Sequence, residues 1–319
     1  MISKTPRAPL FDKIGGPVGF SGQHDRAGIC DSHVSDGRTA DDDLADLPVD
    51  LDDAYENRKY IPKADIHMQE WEQQSAAFRA GAPHAELDQP YGTGARQRYD
   101  LFWPAGGPGS EQGLLVIVHG GYWLAFSKDN FSHLASGALA AGWAVAMLSY
   151  TLAPAARISE ITAEITTAVN HLSGHGNGPM RLAGHSAGGH LVSRMMCDDT
   201  DLADVAARID RVISISGLHD LRPLLQLQKN SEFRLDSAEA IAESAICHIP
   251  RRGMDLVCVA GADERPEFIR QNGILPLVWQ GLGANCHSQL LAGEEHFSVI
   301  GQMTRPDSQL SQLILAPLG

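Results

Sequence analysis

The sequence predicts an α/β fold: a mostly parallel sheet with helices packed on both faces. Three observations carry this. Short apolar runs, the pattern of strands buried on both faces, alternate with longer stretches whose apolar residues recur at helical spacing. Glycine and proline clusters punctuate the joins. One run turns into a helix-compatible stretch through Gly184-His185-Ser186-Ala187-Gly188, which sets a serine alone at the tip of a sharp strand-to-helix turn.

The elements follow in order. Residues 64–80 carry Ile66, Trp71, Ala76 and Phe78 among polar neighbours, and Gly81 with Pro83 ends the helix they predict. Residues 97–103 form a strand closed by Pro104-Ala-Gly-Gly-Pro. Leu114–Val118 is a wholly apolar strand running into His119-Gly120-Gly121-Tyr122-Trp123. A helix over 131–141 stops at Gly142, and a strand follows over 144–150. Ile158–Leu172 places Ile158, Ile161, Ile165, Val169 and Leu172 on one helical face. Residues 180–183 are the strand that enters the serine turn, and 189–197 continue as a helix. Strands over 211–216, 255–260 and 288–291 and helices over Pro266–Gln280 and Gln309–Leu315 complete the alternation. Residues 218–244 interrupt it with a long mixed segment containing Lys229 and Glu232, read as a small cap over the site. Residues 1–50, rich in Gly, Asp, Ser and Pro, read as a mobile or loosely attached N-terminal arm, and 51–319 as one α/β domain.

Composition narrows the function. A chain of 319 residues can bury a large core. A net charge of −14 argues against nucleic acid and anionic membranes as partners. No apolar stretch approaches spanning length, and Lys4, Arg7, Asp12 and Lys13 interrupt any signal-like core. Five scattered cysteines, an odd number without zinc spacing, suit reduced thiols in the cytoplasm. The expected partner is a small molecule, and the sequence leaves a homodimer open.

A serine nucleophile needs a base within reach and an acid that orients the base. In α/β-hydrolases they follow in the order Ser, acid, His. The base is then expected in the loop after the last strand, which contains His296. His287 lies in or before that strand. His185 is too close in sequence to turn onto the Ser186 hydroxyl and reads as packing below the turn. The acid should follow the strand over 255–260, where Asp263 and Glu264 stand side by side and spacing does not separate them. Asp220, after the preceding strand, is a third and weaker choice. Backbone N–H groups of Gly121, Tyr122 and Ala187 are expected to form an oxyanion hole, the glycines keeping side chains clear. Tyr122, Trp123 and Phe297 flank these groups and are candidates for substrate contact, core packing being the plain alternative for Trp123 and Phe297. The 14 histidines include no His-Glu-x-x-His and no His/Cys cluster, so neither metal nor cofactor is expected.

From about residue 55 onward the sequence resembles the α/β-hydrolase type of arylformamidase, also called kynurenine formamidase. The resemblance rests on His119-Gly-Gly-Tyr-Trp123, Ser149-Tyr-Thr-Leu-Ala-Pro154, Gly184-His-Ser-Ala-Gly-Gly-His-Leu191, Gly261-x-x-Glu-x-Pro-Glu-Phe268 and Glu295-His-Phe297. It implies hydrolysis of N-formyl-kynurenine to kynurenine and formate without a cofactor. An ungapped match puts the acid at Glu264. Many members carry Asp at that place, so Glu departs from the pattern and Asp263 stays open. A general carboxylesterase for short acyl groups would use the same Ser186, His296 and acid, because the pocket sets the substrate. A non-catalytic protein of this fold is the third reading, and the presence of all three groups argues against it.

Overall fold

The structure is a computed structural model that describes residues 50–176 and 178–317. The arm expected over 1–50 therefore lies outside the described residues, apart from Asp50.

Eight strands form one sheet: β1 (Ala85–Pro90), β2 (Arg98–Phe102), β3 (Leu114–Val118), β4 (Ala144–Leu148), β5 (Met180–His185), β6 (Ile209–Ile215), β7 (Asp255–Gly261) and β8 (Asn285–Leu291). Their spatial order is β1-β2-β4-β3-β5-β6-β7-β8. β1, β2 and β4 are joined antiparallel, and every pairing from β4 through β3 to β8 is parallel. β3 and β4 are buried at every position, which is why they read as unbroken apolar runs. Apolar clusters cover both faces. One packs Val116 and Leu182 against the helices Ile158–Leu172 and Ala187–Arg194; the other packs Ile117 and Ala183 against Phe131, Leu134 and the C-terminal helix Gln309–Leu315. Parallel strands aim their C-terminal ends at one rim, and the loops after β3, β5, β7 and β8 meet there.

Some local expectations are corrected. β1 is absent from the sequence reading because Ala85-Glu-Leu-Asp-Gln-Pro is polar; it is a short edge strand, where Pro90 is tolerated. Residues 131–141 are not one helix. They make a 3-10 turn, Ser132–Ala135, then a short helix, Ser136–Ala140. The Ser132 and Ser136 hydroxyls donate to the Lys128 and His133 carbonyls and compete with regular helix bonding. Gly142, at φ +83°, does end the segment. β8 begins three residues earlier than 288, since its polar first half is an edge. The segment over 218–244 carries a 3-10 helix, Arg222–Gln226, and two short α-helices, Asn230–Phe233 and Ser237–Ala242, and is seated on the core through Leu221, Leu224 and Phe233. Among the described residues no helix is long and apolar enough to cross a membrane.

Candidate active site

Ser186 sits between β5 and the helix Ala187–Arg194 at φ 55° and ψ −116°, a region L-residues avoid. The turn needs glycines around it. A Cβ on Gly184 would lie 2.1 Å from the Gly188 carbonyl oxygen, and one on Gly188 would lie 2.1 Å from that of Val118. Two hydrogen bonds hold the strained residue: its N–H donates to the Ile215 carbonyl (2.8 Å), and its carbonyl accepts from the His190 N–H (3.1 Å).

The loop after β3 turns with Gly121, Tyr122 and Trp123 all at positive φ (105°, 52° and 58°). His119 pins it from behind. Its Nδ1–H donates to the Gly120 carbonyl (2.7 Å), and its ring lies on Tyr150 at 4.3 Å. Burial lowers the His119 pKa to about 4, so the ring is neutral. Among the described residues, the amides of Gly121, Tyr122 and Ala187 donate to no protein acceptor. They are free for an incoming oxygen.

Glu264 leaves the end of β7 and turns inward; it is 7% exposed. One carboxylate oxygen accepts from His296 Nδ1 at 2.7 Å. The other accepts from the Ser216 hydroxyl (2.5 Å) and the Gly261 N–H (2.8 Å). With Nδ1 donating, His296 Nε2 is left as the acceptor. Asp263 is exposed, and only its backbone is engaged, with the Glu294 carbonyl. Asp220 is paired with Arg222, and His287 lies exposed on β8. The structure thus brings Glu264, and neither Asp263 nor Asp220, to His296.

His185 does more than pack below the turn. Its Nε2–H donates to the His296 carbonyl at 2.8 Å, and the two rings lie 4.6 Å apart. Burial, reinforced by the neighbouring His296, holds the His185 pKa well below its ordinary value. Phe268 closes the other side of His296, edge-on at 4.6 Å.

Ser186 and His296 line one cavity of about 390 Å³, together with Gly121 and Tyr122. Phe297 lines it too, as expected. Trp71, Phe126 and Phe131 extend the aromatic wall, Trp71 lying 5.0 Å from Phe297 and 5.2 Å from Phe131. Sequence reasoning missed these three, because a helix and a loop bring them in through tertiary packing. It also missed residues 56–58, which line the mouth. Trp123 is a correction: it is fully buried away from the cavity, against His190 at 5.3 Å and Phe233 at 6.0 Å. The positive-φ turn sends Tyr122 and Trp123 to opposite sides. The four described cysteines are free thiols; Cys30 lies outside the described residues.

A family model, BD-FAE, matches residues 99–248. The kynurenine formamidase of Danio rerio is 25% identical over 262 residues, covering 76% of this chain and 87% of that protein. A crystal structure from a Silicibacter species, described as a candidate thioesterase, is 43% identical with a TM-score of 0.79; the match covers 83% of this chain and 99% of that one. Esterase B from Lactobacillus rhamnosis superposes with a TM-score of 0.61 at 17% identity, over 78% of this chain and 91% of that one. The fold and the relatives define an α/β-hydrolase, and the chain is a hydrolase. At 17% identity the likeness to esterase B speaks for the fold alone. In sequence the chain is similar to kynurenine formamidases, which are themselves 25% identical to it.

Proposed function

We propose that the protein hydrolyses an aryl formamide of the N-formyl-kynurenine type through a formyl-enzyme on Ser186. The observation that carries this is the cavity itself: Ser186 and the Glu264-oriented His296 open onto a wall of Trp71, Phe126, Phe131 and Phe297 that suits a planar aryl group. Its volume, about 390 Å³, falls within the range of small-molecule sites. The naming of relatives such as the Danio rerio protein supports the same choice.

In this mechanism the Ser186 hydroxyl oxygen attacks the formyl carbon while His296 Nε2 takes its proton. Glu264 stabilises the imidazolium through Nδ1–H. The N–H groups of Gly121, Tyr122 and Ala187 hold the developing oxyanion. As the C–N bond breaks, His296 returns the proton to the leaving aryl amine. Water then attacks the formyl ester, His296 takes its proton, and formate leaves as the proton returns to the Ser186 oxygen. No step calls for a metal or an organic cofactor.

The test is steady-state kcat/KM on N-formyl-kynurenine beside p-nitrophenyl acetate, with Ser186→Ala as the blank for both. The expected result is a strong preference for the formamide and a loss of roughly 10³-fold or more in the variant. Ester turnover without formamide turnover would transfer the site to a short-acyl carboxylesterase. Activity retained in a clean Ser186→Ala preparation would remove Ser186 from the chemistry.

A further inference from the structure

We infer that the mouth of the Ser186 cavity is a subsite for a zwitterionic α-amino-acid head group, with Lys229 taking the carboxylate and Glu56 and Glu232 the ammonium. The inference rests on the reading of Ser186 as nucleophile, and it holds for an ester as well as for a formamide.

The catalytic cavity adjoins a second, more polar one of about 430 Å³, and Glu56, Tyr122, Lys229 and Glu232 line both. These four residues line the boundary between the two cavities. The Lys229 ammonium stands 4.3 Å from the centre of the Tyr122 ring, a cation–π contact that keeps it at the boundary. Among the described residues, no carboxylate lies within ion-pair distance of Lys229, and none of the ion pairs found there involves Glu56 or Glu232. A cation and two carboxylates on one rim, none satisfying another, form a complementary surface for a ligand that carries both signs.

The rim is also held in place. The Tyr122 hydroxyl donates to the Tyr55 carbonyl, next to Glu56. The Gln228 N–H, next to Lys229, donates to the Asp52 carboxylate at 2.9 Å. Two segments that are remote in sequence are thereby fixed against each other, one carrying Glu56 and the other Lys229 and Glu232. Tyr122 joins them to the chemistry, since its backbone belongs to the oxyanion loop. A leaving group with its ring on the aromatic wall would carry its head group about one side chain's length from the reacting carbonyl.

The experiment compares matched substrates that differ only in the head group. O-acetyl-tyrosine is the zwitterionic aryl ester and its N-acetyl methyl ester the neutral one; N-formyl-kynurenine and its α-N-acetyl methyl ester are the formamide pair. The quantity read is the ratio of kcat/KM, zwitterionic over neutral. The wild-type ratio is expected to exceed ten. Lys229→Gln should lower it about two- to fivefold, the effect of one partly exposed charge pair. Lys229→Arg should restore most of it, and the double variant Glu56→Gln/Glu232→Gln should lower it comparably. Using a ratio separates recognition from any loss of folded enzyme. Preference within the ester pair alone would sink the formamide reading and leave this one standing. A wild-type ratio near one, a ratio that Lys229→Gln does not move, or no turnover of the zwitterionic ester overturns it.

Discussion

Glu264→Gln is nearly isosteric, yet the structure predicts a large loss. Three donors converge on the carboxylate: His296 Nδ1–H on one oxygen, and the Ser216 hydroxyl and Gly261 N–H on the other. A glutamine offers only one oxygen. If that oxygen faces Ser216 and Gly261, the amide NH₂ meets His296 Nδ1. The ring proton must then move to Nε2, the tautomer that cannot accept the Ser186 proton. If it faces His296, the NH₂ meets the Gly261 N–H, and a buried donor goes unpaired at a cost of about 1–3 kcal/mol. The first arrangement keeps two hydrogen bonds and should prevail. Turnover should then fall by roughly 10³–10⁴, or about 4–5.5 kcal/mol of barrier, as when other triad acids are amidated. Asp263→Asn, an exposed change one residue away, should stay within about twofold. The assay is kcat and KM on p-nitrophenyl acetate for both variants, with circular dichroism and thermal melting to show that each is folded. A collapse in Asp263→Asn, or more than a tenth of wild-type kcat in folded Glu264→Gln, would refute the reasoning.

Three further outcomes are expected. Gly188→Ala should cost about 3 kcal/mol or more and lower the melting temperature sharply, because its methyl would sit 2.1 Å from the backbone oxygen of Val118 in the central strand; a normal melting curve would show that the turn can open. Trp123→Phe should cost about 1–2 kcal/mol in urea unfolding, yet leave the ranking of substrates by kcat/KM unchanged, since the ring packs in the core and its N–H has no partner; an altered ranking would return Trp123 to the site. Stability should fall as pH drops from 6.5 towards 4. Burial depresses His119 and His219 to about 4 and His190 to about 3 in the folded state, so the unfolded chain binds these protons first. Each should cost about 2 kcal/mol at pH 5 as an upper bound, and His219→Gln should flatten the dependence measured by urea midpoints. An unchanged slope in that variant would show that His219 is not the source.

Much of this was legible because local chemistry and tertiary demand agree. β3 and β4 are apolar at every position and could only be buried strands. The helices Ile158–Leu172, Pro266–Gln280 and Gln309–Leu315 match their expected bounds, since their capping and periodicity are local. The placement of Ser186 at the strand-to-helix turn and of His296 beside a carboxylate from the loop after β7 was readable from the glycine turn and from chain order. What was not legible depends on direction rather than identity. Asp263 and Glu264 are equivalent by spacing, and only the path of the chain after β7 decides which one turns inward. Tyr122 and Trp123 are neighbours with similar chemistry, and only their backbone angles send one to the cavity and the other to the core. The wall formed by Trp71, Phe126 and Phe131 comes from distant segments, and each of these residues alone looks like ordinary core.

Tyr122 occupies two offices at once. Its backbone, at φ 52°, shapes the loop proposed to hold the oxyanion, and its side chain contacts both Tyr55 and Lys229 where the two cavities adjoin. A mutation there cannot explore new ligands without also disturbing the reaction common to all of them. Divergence of specificity is therefore steered elsewhere, to the segment over 218–244 that carries Lys229 and Glu232 and to the short segment around Glu56, where changes are uncoupled from the backbone of the reacting centre. A family that keeps His-Gly-Gly-Tyr-Trp while varying those two segments could acquire new substrates without rebuilding its chemistry, and directed evolution of this enzyme should begin there.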